Sequence, residues 1–77
     1  MKHARADYDR IQDPAGLIPT DEPVFLIRGQ DQYCISTLLH YRDLVLKDGG
    51  DMKIVHAIND HLQLVANWPR RKAPDMP

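Results

Sequence analysis

The run from Asp13 to Asp31, DPAGLIPTDEPVFLIRGQD, constrains this chain more than any other part of it: three prolines and two glycines frame one apolar block, Val24 to Ile27, closed by Arg28. Proline fixes φ and restricts the residue before it, which makes Asp13-Pro14 a boundary and Leu17-Ile18, ahead of Pro19, an extended pair tucked onto the core. Ala15-Gly16 between them has turn chemistry. Pro23 to Arg28 is rich in β-branched and aromatic residues, with Pro23 at the first strand position, where its missing N–H does least harm. Alternation sends Val24 and Leu26 to one face and Phe25 and Ile27 to the other, so the pattern predicts a strand covered on both sides. Its backbone needs partners, because an unsatisfied buried amide or carbonyl costs about 1–3 kcal/mol. Two are on offer: the segment around Tyr8 to Gln12, through Ile11, or the same strand of a second copy in a homodimer sheet.

After Gly29-Gln30-Asp31 the period becomes helical. Ile35, Leu38, Leu39, Tyr41, Val45 and Leu46 recur at helical spacings up to Gly49-Gly50, which supplies a left-handed stop. Asp31 or Ser36 is the candidate cap at the start. Asp51 is placed to cap a second helix, on which Val55, Ile58, Leu62 and Val65 form a stripe that ends before Pro69. A link this short makes the pair an antiparallel helical hairpin. Leu44 and Leu46 on the first helix, and Ile54, Leu64 and Trp68 on the second, lie beyond one stripe and predict a second buried face. The first seven residues and the charged, proline-rich end, residues 70–77, are expected to be flexible. The predicted fold is a single α+β domain over 1–77, mostly helical, with an irregular N-terminal half, one main strand and the hairpin.

A chain of 77 residues buries only about 60–65% of its unfolded surface as a monomer. Proteins this small usually add disulfides, a metal or a second subunit, and Cys34 is the only cysteine. A homodimer or higher oligomer is therefore expected. Ten Lys and Arg against eleven Asp and Glu give a formal charge of −1, which argues against general nucleic-acid or acidic-membrane binding. No apolar run approaches the ~20 residues of a membrane span, and MKHARADYDR lacks a signal-peptide centre. A cytoplasmic protein is the expectation.

The residues spell no reaction. His56 and Asp60 share a helix face at metal-ligand spacing, but no further ligands complete a zinc pattern. Cys34 near a helix start is better read as a buried small hydrophobe than as a nucleophile, and the isolated glycines make no phosphate loop. No catalytic residue, metal site or cofactor is assigned. The strand's end is more informative: Arg28 offers a planar donor fork for phosphate or carboxylate, with Gln30 and Asp31 beside it as the chain enters a helix. Tyr8 and Arg10 would add a stacking face and a second cation if their segment pairs with the strand. The structural alternative is that Arg28 pairs with Asp21, Glu22 or Asp31 and that Tyr8 closes the core edge. Arg70, Arg71 and Lys72 are either a phosphate contact or a solvated end.

Asp13, Pro14, Gly16, Ile18, Pro19, Asp21, Glu22, Pro23, Val24, Phe25, Leu26, Arg28, Gln30 and Asp31 match the pattern D-P-x-G-x-I-P-x-D-E-P-V-F-L-x-R-x-Q-D. This resembles the core of a family of short, mostly uncharacterised phage and prophage proteins. The resemblance covers roughly residues 8–48, including Leu38 and Tyr41, and departs where Cys34-Ile35 replaces the family's Ala-Pro at the helix start. It implies an accessory protein of the host cytosol that works by binding. The resulting expectation is a non-enzymatic protein that sequesters an anionic small ligand, such as a nucleotide immune signal, through Arg28, Gln30, Tyr8 and Arg10. The alternative is an inhibitor or adaptor that docks an exposed helix face on a host enzyme or defence complex; a structural virion role is also open.

Overall fold

The computed structural model of the chain describes residues 1–10 and 12–77. Its regular elements are strand β1 (Lys2–His3), a 3-10 turn (Ala6–Tyr8), strand β2 (Pro23–Val24), helix α1 (Cys34–Lys47) and helix α2 (Met52–Asn67). They fall into two units, Met1–Ile27 with Asp75–Pro77, and Arg28–Pro74.

The second unit is a helical hairpin. At its start Asp31 does the capping from outside the helix: its carboxylate accepts the Tyr33 N–H at 2.8 Å and its carbonyl the Cys34 N–H at 3.0 Å. Ser36 instead turns back, its hydroxyl donating to the Tyr33 carbonyl. The end of α1 is a Schellman motif, with the Gly50 N–H on the Val45 carbonyl at 2.8 Å and the Gly49 N–H on that of Leu46 at 3.2 Å. Gly49 has φ +67°, and a Cβ on Gly50 would meet Val45 Cγ1 at 2.8 Å; both glycines are required, one for conformation and one for space. Asp51 then caps α2 by accepting the Lys53 N–H at 2.8 Å.

The helices pack on each other. Val55, Ile58 and Val65 of α2 are buried, as is Cys34 at the start of α1. Leu38, Leu39, Val45 and Leu62 are half-buried. Arg42 of α1 donates to the Asn59 side chain of α2 at 2.8 Å, tying the helices outside the apolar seam. The predicted stripe Val55, Ile58, Leu62, Val65 is therefore the packing face. Beyond α2 the chain meets the hairpin's entry at Lys72, whose N–H donates to the Gln30 carbonyl and whose carbonyl accepts the Gln32 N–H, a parallel bridge at Asp31.

The first unit departs from the expected strand. β2 is only two residues long and pairs in parallel with β1, Lys2 beside Pro23 and His3 beside Val24. Within the chain the partner is thus β1 rather than the Tyr8–Gln12 segment, and residues 1–8 carry the strand and the turn. A two-residue partner can satisfy only a two-residue ladder, so the regular strand stops at Val24. Phe25, expected to be buried, is 78% exposed, and Leu17 is 81% exposed; Val24, Leu26 and Ile27 are half-buried, so the apolar block is only partly covered. The Ile11 part of the predicted partner segment lies outside the described residues. Gly16, at φ +64°, makes the expected turn, closed by its N–H on the Asp13 carbonyl. The Asp13 carboxylate accepts the Leu17 and Ile18 N–H groups at 3.2 and 2.8 Å. Arg5 organises the rest: it holds Asp7 at 2.7 Å and Asp75 at 3.1 Å and lies 4.6 Å above the Tyr8 ring. Hydrogen bonding from Arg5 holds the Asp7 carboxyl below its usual range.

Candidate functional site

A cleft of about 270 Å³ opens in the second unit where the chain passes from Arg28 into the hairpin. One wall is Arg28, Gly29 and Gln30; the other is the C-terminal end of α2 with the residue that follows it, presenting His61, Leu64, Val65 and Trp68. Helical spacing explains the second wall. His61, Leu64 and Trp68 recur at three and four residues and so share one side of α2, beside Val65, which faces inward.

Arg71 holds the two walls together. Its Nη1 donates to the Gly29 carbonyl at 3.2 Å, to Trp68 O at 3.0 Å and to Arg70 O at 3.0 Å, while Nη2 donates to the Val65 carbonyl. Two of these carbonyls belong to the C-terminal end of α2, where the helix dipole is negative; that of Val65 also accepts the Trp68 N–H at 3.1 Å. The guanidinium caps that end and fixes the 28–30 segment to it. Two backbone bonds complete the frame: the Asp31 N–H on the Arg28 carbonyl at 2.9 Å and the Lys72 N–H on that of Gln30 at 2.7 Å.

The cleft's chemistry is cationic and aromatic. Arg28 is exposed and forms no ion pair or side-chain hydrogen bond among the described residues, so the anticipated pairing with Asp31 is not made. Trp68 is 51% and Leu64 66% exposed, giving a flat indole and an aliphatic surface across from the cation. Gln30 is half-buried, and His61 is exposed on α2. No carboxylate lines the cleft among the described residues. A group that combined a planar ring with a negative charge would find a stacking face and a donor fork here.

Of the four residues singled out in the sequence, Arg28 and Gln30 line this cleft. Tyr8 and Arg10 belong to the first unit, and one face of the Tyr8 ring is already occupied by Arg5. His61, Leu64 and Trp68 were not anticipated as site residues, and Arg71, read as either a phosphate contact or a solvated end, instead caps α2. The spacing of the first three, read as a face rather than as surplus core, was the available signal; nothing in a Pro-Arg-Arg-Lys end distinguishes a capping arginine from a solvated one.

Cys34 lies under the start of α1 at 2% exposure. Burial raises its thiol above the ordinary value, the Asp31 carboxylate raises it further, and Arg71 opposes both. A nucleophile needs the thiolate, so this cysteine is a packing residue. Among the described residues no three potential ligands converge for a metal, and no helix is long and apolar enough to cross a membrane. Comparison with protein-family models, with curated proteins and with solved structures gives no match.

Proposed function

We propose that this chain is a non-enzymatic binding protein that holds a small anionic aromatic ligand, of the nucleotide class, in the cleft between residues 28–30 and the end of α2. One observation carries the reading: the guanidinium of Arg28, without an ion-pair partner among the described residues, shares a cleft of about 270 Å³ with the half-exposed indole of Trp68. At about 270 Å³ the cleft lies just under the ~300 Å³ at which ligand pockets begin, so it would hold at most one nucleotide, with part of it left in solvent, and is too small for a dinucleotide. Arg28 would take the phosphate, Trp68 the base, and Gln30 and His61 the remaining polar edges. The named groups bind rather than react, since Arg28 and Gln30 offer donors without a nucleophile beside them. Sequestration of a host nucleotide signal by a phage-type accessory protein in the cytosol is the biological form of this reading, and it rests on the resemblance in residues 13–31.

Isothermal titration calorimetry with nucleoside monophosphates, and with inorganic phosphate as the ring-free control, tests it. Nucleotide binding tighter than phosphate binding, weakened at least ~10-fold by Arg28→Ala and by Trp68→Ala, is expected, as each removes at least ~1.4 kcal/mol of contact. No heat with any nucleotide at millimolar concentration refutes it, as does binding untouched by Arg28→Ala. The second reading, an inhibitor or adaptor docking through a helix face, is favoured by Tyr41 and Leu44, 53% and 46% exposed on α1. It predicts silence in the same titration.

A further inference from the structure

The wall formed by residues 28–30 keeps its main-chain donors while its acceptors are engaged elsewhere. The Arg28 carbonyl accepts the Asp31 N–H at 2.9 Å, that of Gly29 accepts Arg71 Nη1 at 3.2 Å, and that of Gln30 accepts the Lys72 N–H at 2.7 Å. The N–H groups of Gly29 and Gln30 have no acceptor among the described residues. Both residues are half-buried and both line the cleft. Backbone donors in such places are rarely left unsatisfied, so water or a ligand must take them.

The bonds already made give these two donors a direction. The peptides are trans, and each N–H therefore points opposite to the carbonyl of the residue before it. The Gly29 carbonyl faces Arg71 at the end of α2, which turns the Gln30 N–H away from that guanidinium. The Arg28 carbonyl closes the turn onto Asp31, which sends the Gly29 N–H out of the turn. Successive main-chain N–H groups at a turn form a concavity for anions. Here they adjoin the Arg28 side chain, which has no ion-pair partner among the described residues.

We infer that the main-chain amides of Gly29 and Gln30, with the Arg28 guanidinium, form the phosphate cradle of the cleft. This rests on the nucleotide reading above and adds two backbone contacts to it. Phosphate fits because its ionised oxygens only accept, whereas a group carrying its own N–H or O–H would set donor against donor. Arg71 and Lys72 are positioning residues: by holding the Gly29 and Gln30 carbonyls they fix which way the cleft's wall presents its amides.

Gly29→Pro deletes one of these amides and keeps the carbonyl that Arg71 holds. Gly29 is the second residue of the 28–31 turn, where proline is favoured, and its φ is not positive. Gly29→Ala is the control that retains the N–H; its Cβ would meet Val65 Cγ2 at 3.8 Å, an ordinary contact. Isothermal titration calorimetry of the full chain with adenosine monophosphate should give Gly29→Ala the native affinity and Gly29→Pro one at least ~10-fold weaker, the loss of one bond to a charged acceptor. In nitrogen-15 correlation spectra of the native chain, the same nucleotide should move the Gly29 and Gln30 amide protons downfield. Adenosine, which lacks the phosphate, should not. Equal binding by Gly29→Pro and Gly29→Ala, with Arg28→Ala still weakened, overturns the cradle and leaves the cleft reading standing. Should Gly29→Pro lose its helical circular dichroism, the native spectra decide: amides unmoved at saturating nucleotide, or moved equally by adenosine, overturn the inference. No binding of the nucleotide at millimolar concentration overturns both.

Discussion

Replacing Arg71 with alanine removes one side chain and four acceptor contacts, to the carbonyls of Val65, Trp68, Arg70 and Gly29. Bonds from a charged donor are worth about 1.5–3 kcal/mol each when dry, and ordinary ones as little as ~0.5. Arg71 is exposed, so water can reach the freed carbonyls and the lower figure applies, giving about 2 kcal/mol in all. The favourable placement of a cation at the C-terminal end of α2, worth ~0.3–1 kcal/mol, is contained in that sum. Unfolding entropy near 2.1 cal/mol/K per residue gives a chain of 77 residues about 0.16 kcal/mol/K, so Tm should fall by about 12 °C. Arg71→Lys keeps the charge but loses the fork, and should recover only about 3 °C of that through the dipole contribution. Thermal melts followed by far-ultraviolet circular dichroism at fixed protein concentration measure both. A fall below about 3 °C for Arg71→Ala, on the scale of a neutral surface change, would show that the guanidinium is not holding the end of α2 to residue 29.

Ile58→Ala, at a site 8% exposed, should cost about 2–4 kcal/mol, enough to move a small domain close to unfolding in a urea titration. Phe25→Asp should change stability by less than about 0.5 kcal/mol, because a ring 78% exposed has little packing to lose; a collapse of the fold would mean that the ring is buried. The Cys34 thiol, raised above its ordinary value by burial, should resist alkylation in the native state and react in urea, and its linkage has a definite sign. As pH rises past the ordinary thiol range the unfolded chain loses this proton before the folded one does, so this contribution to stability is complete below that range and declines as pH rises through the folded value. A urea midpoint for the wild type that rises relative to Cys34→Ala as the thiol titrates would contradict the assignment.

The helical hairpin was legible because its signals are local and redundant. The stripe at 55, 58, 62 and 65, the Asp51 cap and the Gly49-Gly50 stop each point to the same boundaries, and the structure uses all three. The first unit was not legible, because strand pairing is decided at a distance. Lys2-His3 has no β signature, yet it is what β2 pairs with, and its length rather than the apolar content of Val24 to Ile27 sets where the ladder stops. An apolar run also specifies a preference for burial without specifying who provides it, which is why Phe25 and Leu17 face water. In the cleft, Arg28 and Gln30 were visible as polar groups at a transition between elements. Trp68 and His61 reach them only through the fold-back of α2, which brings residue 68 near residue 28, a proximity that one-dimensional spacing does not encode.

Trp68 is the only indole in the chain, and it stands half in water at the rim of the cleft. The three tyrosines emit at shorter wavelengths, so selectively excited fluorescence from this protein originates at one address. Covering that ring should shift its emission to the blue and shield it from aqueous quenchers, whereas stacking a base on it should quench it outright. The molecule thus carries its own optical gauge at the rim of the cleft, and unlabelled protein is sufficient to read it.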